Sequence, residues 1–103
     1  MVLYCIHAHD NPGAAAKRAE HYPAHRAFLA NSAHYGVEIL ASGPLVSDDG
    51  THMIGSLLLV TAATREHVEA FSADDPFRKA GLWADVKIDR FNLRVGSIGA
   101  HTA

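Results

Sequence analysis

Residues 37–62, VEILASGPLVSDDGTHMIGSLLLVTA, decide the fold. Two stretches rich in branched apolar residues, Val37–Val46 and Ile54–Ala62, flank Ser47-Asp48-Asp49-Gly50, whose side chains favour a turn. They read as a hairpin of two strands, with Gly43-Pro44 disturbing the end of the first. Upstream, Val2–His9 alternates between Val2, Tyr4, Ile6, Ala8 on one side and Leu3, Cys5, His7, His9 on the other. That is a strand, closed by the turn Asp10-Asn11-Pro12-Gly13. Residues 14–21 favour a short helix, Pro23 predicts a break, and a second helix runs from Pro23 to Tyr35 with Gly36 as its stop. Downstream, Thr64 is placed to cap a helix over Arg65–Ala73, and Asp74-Asp75-Pro76 opens a further helical turn that ends at Gly81. Ala84–Val95 reads as a fourth strand. The order β-α-β-β-α-β predicts an α+β, ferredoxin-like domain over residues 1–95, followed by a flexible tail at 96–103. Its four-stranded antiparallel sheet carries the helices on one face, in spatial order 4-1-3-2.

Apolar residues lie in both phases of the third and fourth strands, which a sheet with one solvated face does not need. Packing two such sheets face to face, a dimeric α/β barrel, is the expected remedy, and the expected partner is therefore a second copy of the chain.

Composition narrows the function classes. In 103 residues the net charge is −2, and the nine Lys and Arg are scattered, which leaves no footprint for nucleic acid. Cys5 stands alone, so no internal disulfide is expected. Apolar runs such as Leu57–Val60 are far short of the roughly 20 residues that span a bilayer. No basic region precedes an apolar run at the N-terminus, so a cytoplasmic protein without a signal peptide or membrane partner is expected. No glycine-rich phosphate loop is present, and no cofactor is expected.

Histidine is over-represented, at positions 7, 9, 21, 25, 34, 52, 67 and 101. His25 shares the inward stripe of Phe28, Leu29, Ser32 and Tyr35, and the break at Pro23 places it in the first turn of its helix. A neutral imidazole there is a candidate general base, although a structural histidine is the simpler reading. Asp75 before Pro76 is an N-cap by pattern; within reach of His25 it would also orient the ring. Ser42-Gly43-Pro44 is a strand-end bulge or a close approach of backbone to a ligand. His7 and His9 point the same way, and would need a third ligand such as His25 or His52 to hold a metal, so no metal is expected. Cys5, Phe77 and Trp83 read as packing residues, and Tyr22 as core, rim or a ligand contact.

Taken in order, these segments resemble the YciI-like (YCII-related domain) family of small bacterial proteins. The resemblance runs through Leu3-Tyr4, Asp10, Lys17-Arg18, Pro23-Ala24-His25, Ser42-Gly43-Pro44-Leu45, Gly55, Asp74-Asp75-Pro76-Phe77 and Ala80-Gly81-Leu82. It implies a ferredoxin-like homodimer with a histidine–aspartate site. Carried across, the histidine is His25 and the aspartate Asp75, with Asp10 the alternative; Arg18, Asp10, Ser42, Gly43 and Pro44 would line the substrate pocket. His7 and His9 depart from the family pattern. One branch of the family resembles a dehalogenase of chlorinated hydroxyquinones. The expected function is thus a small cofactor-independent enzyme using a His-Asp pair on a small, aromatic or quinone-like substrate. Lyase, isomerase and dehalogenating chemistry all fit that equipment. The alternative is a non-catalytic small-molecule-binding or accessory dimer, and kinship with the dimeric α/β-barrel monooxygenases or muconolactone-isomerase-like proteins rests on fold analogy.

Overall fold

The structure is a computed structural model, describing residues 1–99 and 101–102. The strands are β1 (Val2–Asp10), β2 (Glu38–Val46), β3 (Met53–Ala62) and β4 (Trp83–Arg90). They form one antiparallel sheet in the order β2-β3-β1-β4, so the expected spatial order holds. The helices are α1 (Ala15–Ala30), α2 (Arg65–Ala73) and the single turn α3 (Pro76–Lys79), with a 3-10 turn over Ser32–Tyr35.

One expectation fails. Pro23 does not divide two helices; it sits inside α1, which is continuous for 16 residues. Proline removes one N–H and so leaves the Ala19 carbonyl without its usual partner. Both residues face outward, where solvent can satisfy that carbonyl. His25 therefore lies deep within α1, and the placement in a first turn is wrong. Three smaller differences follow local geometry. Thr64 precedes α2 but makes no side-chain cap; its Oγ1 meets His67 Nδ1 at 2.7 Å instead. β4 ends at Arg90, five residues earlier than the alternation suggested, where Phe91 N–H turns back to the Leu3 carbonyl at 2.9 Å. Within the segment read as a tail, Ser97–Ile98 pairs with His101–Thr102 in a short ribbon (β5, β6); Ala100 and Ala103 lie outside the described residues.

Alternation on β1 sets the core. Tyr4, Ile6 and Ala8 are buried with Leu58, Val60 and Ala62 of β3, and Val68 and Phe71 of α2 close over them. A second cluster, Ala8, Phe77, Leu82 and Trp83, joins the start of β4 to α3. The face away from the helices carries Leu3, Cys5, His7 and His9 of β1, opposite Thr61, Leu59, Leu57 and Gly55 of β3. Asp85, Lys87 and Asp89 of β4 flank that row. Leu57 and Leu59 are half-buried there, opposite His7 and Cys5 of β1 on one side and Gly43 and Ala41 of β2 on the other, with half-buried Leu45 opposite Gly55.

Gly55 is fixed by space. A Cβ at this position would lie 2.3 Å from the Ala8 carbonyl oxygen, backbone against backbone. No rotamer relieves such a contact, so Gly55→Ala should separate β1 from β3 locally. The expected cost is about 1–3 kcal/mol, as for overpacking elsewhere, read as a lower denaturant midpoint at unchanged slope.

Candidate active site

The constellation starts from one oxygen. Asp75 is the N-cap of α3, and its Oδ1 accepts the Phe77 N–H at 2.9 Å. The same Oδ1 lies 2.8 Å from His25 Nδ1. Cap and partner are thus one group, and both readings of Asp75 are satisfied together. An ionised carboxylate only accepts, so Nδ1 is the protonated nitrogen of the neutral ring and donates to it. Asp75 is 1% and His25 6% exposed, which keeps water from competing for the contact.

The Phe77 side chain then holds the imidazole. The two rings stack at 4.0 Å between centroids and 11° between planes. Phe77 also lies under the Arg18 guanidinium, whose Cζ is 4.9 Å from the ring centroid. Arg18 and His25 are seven residues apart on α1, two turns along one face, which is why one aromatic ring serves both.

Arg18 is heavily committed. Its Nε and Nη2 donate to Asp10 Oδ2 and Oδ1, each at 2.9 Å, a fork geometry that matches the carboxylate. Nη2 also donates to the Gly55 carbonyl at 2.8 Å and to Ser56 Oγ at 2.9 Å. Arg18 thereby ties α1 to the ends of β1 and β3. Asp10 is bound to Arg18 rather than to His25, and the alternative dyad does not form. Ser42, Gly43 and Pro44 lie exposed on the edge strand β2, with Pro44 opposite Ser56. They are one strand away from the Arg18 clamp, and no side-chain hydrogen bond joins Ser42 to it among the described residues.

Three polar atoms of the Arg18, His25 and Asp75 side chains have no protein partner among the described residues: His25 Nε2, Arg18 Nη1 and Asp75 Oδ2. None is sealed from solvent; the sealed, unpartnered atom among the described side chains is Trp83 Nε1. The surface depressions of about 240 and 480 Å³ lie elsewhere, one along Met1–Leu3 and Arg90–Leu93, the other on Ala24, Phe28, Asn31 and Tyr35. Above the second of these, the Tyr35 hydroxyl donates to Asp74 Oδ2 at 2.6 Å, and that bond, with burial, pushes its phenol above the usual range. Cys5 is also held as the thiol, since burial and the nearby Asp89 carboxylate both raise its pKa. A packing role suits it better than nucleophilic attack. His7 and His9 stack edge-on at 4.8 Å, but among the described residues no three His, Cys, Asp or Glu side chains converge as a metal cage.

Sequence reading left Ser56 out of this cluster and gave Phe77 and Trp83 only as packing residues, which their burial in the core bears out. Phe77 carried a usable signal, since the residue two places after an N-cap aspartate offers its N–H to the cap and keeps its side chain beside it.

The model of the YCII-related domain matches residues 2–92. The chain belongs to the YCII-related domain family. Among solved structures, it is similar to the 5-chloro-2-hydroxyhydroquinone dehydrochlorinase of Burkholderia phenoliruptrix AC1100, crystallised with 2,5-dihydroxybenzoquinone. That match has 32% identity and a TM-score of 0.78, covering 89% of this chain and 95% of the other. A protein of Arabidopsis thaliana shares the fold at 17% identity and a TM-score of 0.51, covering 95% of this chain and all of that one. No curated protein matches the chain. No helix among the described residues is long and apolar enough to cross a membrane.

Removing the shared acceptor has a calculable consequence. Asp75→Ala deletes a helix cap, worth about 1 kcal/mol, and leaves the His25 N–H buried without a partner, worth about 1–3 kcal/mol. Equilibrium unfolding should show a loss of about 2–4 kcal/mol, whereas Ala at the exposed Asp48 should change stability by less than about 0.5 kcal/mol.

Proposed function

We propose that this YCII-domain protein is a cofactor-independent enzyme that eliminates hydrogen chloride from a chlorinated, hydroxylated aromatic ring. The observation that carries the reading is the 2.8 Å His25–Asp75 contact, with Nδ1 engaged and Nε2 left unpartnered at solvent. That arrangement makes a general base whose tautomer is fixed by its carboxylate. The substrate class is taken from the similar Burkholderia dehydrochlorinase.

The step balances without an oxidant. Two hydroxyl protons leave the ring, the first to His25 Nε2. One proton is delivered to the carbon that carries chlorine, and chloride departs with the C–Cl electron pair. The ring becomes a quinone, and the net loss is HCl. His25 accepts and returns a proton, and Asp75 stabilises the imidazolium between those events. Arg18 Nη1, free of the Asp10 clamp, is the cation suited to a phenolate oxygen as charge develops. Ser42, Gly43 and Pro44 would form the outer wall of the pocket from β2.

Chloride release from 5-chloro-2-hydroxyhydroquinone tests this directly. His25→Ala should lower turnover about 10²- to 10⁴-fold while the protein stays folded. Equal turnover in wild type and variant would end the reading. The second reading, a small-molecule-binding or accessory module, is favoured by two surface depressions that lie away from His25; it requires ligand binding without chloride release.

The assembly we propose is a homodimer packed through the sheet face that carries Leu57, Leu59 and Leu45. Half-buried leucines on an open sheet face are better covered by a second copy than left to water. Sedimentation at micromolar concentration should give twice the chain mass of 11.1 kDa, and a species at the chain mass would contradict the dimer.

A further inference from the structure

Trp83 supplies the observation that the proposed mechanism leaves unused. It opens β4, is 7% exposed, and its Nε1 is sealed from solvent with no hydrogen-bond partner. A buried donor left unmet is a penalty that folded proteins seldom carry without compensation.

An aromatic face is the usual substitute acceptor, and the ring geometry excludes it here. The indole stands 5.9 Å from Phe77 and 6.4 Å from His25, nearly perpendicular to both, at 77° and 86°. Those two rings are themselves parallel at 4.0 Å. A ring capping the stack would be farther from one member than from the other by about the stacking distance. The near-equal separations instead place the indole alongside the stack, so neither outer face receives the N–H. The carboxylates of the cluster do not serve it either: Asp10 is engaged by Arg18 and Asp75 Oδ1 by Phe77 and His25, and the indole N–H bonds to none of their oxygens, Asp75 Oδ2 included.

We infer that the Trp83 indole N–H is a substrate-anchoring donor, meeting a ring oxygen of the hydroxyquinone beside the position where His25 acts. This rests on the proposed dehydrochlorinase reading and extends it by naming the residue that orients the ring. A carbonyl or phenolate oxygen is the acceptor a quinone-like ligand brings. Because Nε1 is sealed in the free protein, binding requires a side chain of the wall to change rotamer, a common adjustment on ligand entry. The donor would discriminate by its orphan state. A ring lacking oxygen at that position would leave it unmet and would bind more weakly.

The test uses 2,5-dihydroxybenzoquinone as the probe, with NMR of the lone indole N–H and of the histidine rings. Expected on titration are a downfield shift of the Trp83 N–H together with shifts of the His25 ring. Trp83→Phe, and an isosteric variant carrying benzothienylalanine at position 83, should each weaken binding about tenfold. The isostere keeps the bicyclic shape and so separates the lost N–H from a packing defect. If His25 responds while the indole N–H stays fixed and the isostere binds as tightly as wild type, the anchoring role is overturned and the site reading survives. If neither residue responds to the probe, the site reading itself fails and this inference falls with it.

Discussion

A single carboxylate oxygen governs this fold's candidate chemistry. Asp75 Oδ1 starts α3 by accepting the Phe77 N–H, and the same atom fixes the His25 ring through Nδ1. Forming α3 and positioning the histidine are thus one event. Burial of both partners makes the contact strong and makes its loss costly, because neither group has water to fall back on. Everything else near the site follows from where that turn puts Phe77: under the Arg18 guanidinium, against His25, and beside Trp83.

Arg18 is the second constraint, and its role differs from a simple anion receptor. Most of its donors serve Asp10, Gly55 and Ser56, tying α1 to the sheet. Gly55 matters twice here, by carrying the carbonyl that Arg18 uses and by lacking the Cβ that would strike the Ala8 carbonyl. With α1 locked against the strand ends, His25 is held two turns along on the same face. The sheet fixes one end of that helix, and Asp75 fixes the imidazole at the other.

Legibility in the sequence tracked how local the physics is. Alternation in β1, the apolar run of β3, the turn at Ser47–Gly50 and the Asp75-Pro76 cap are properties of neighbouring residues, and each could be read directly. The continuity of α1 through Pro23 could not, because it depends on the Ala19 carbonyl facing water, which only the packed fold decides. The pairing of His25 with Asp75 joins residues 50 apart, and it was reached through family resemblance rather than spacing. The pairing of Asp10 with Arg18 could not be read from the sequence, since a forked pair across a turn leaves no periodic mark. Trp83 was invisible for a deeper reason. Whether a donor is satisfied is a property of the whole interior, and no window of sequence contains it.

The fixed tautomer of His25 is the claim on which this account stands, and nitrogen NMR of the imidazole reads it without any knowledge of substrate. With the ring neutral, Nδ1 should carry the proton and Nε2 should show the resonance of an unprotonated nitrogen, and Asp75→Ala should mix the two tautomers. A proton on Nε2 in the wild-type protein, or a tautomer indifferent to Asp75, would contradict the account.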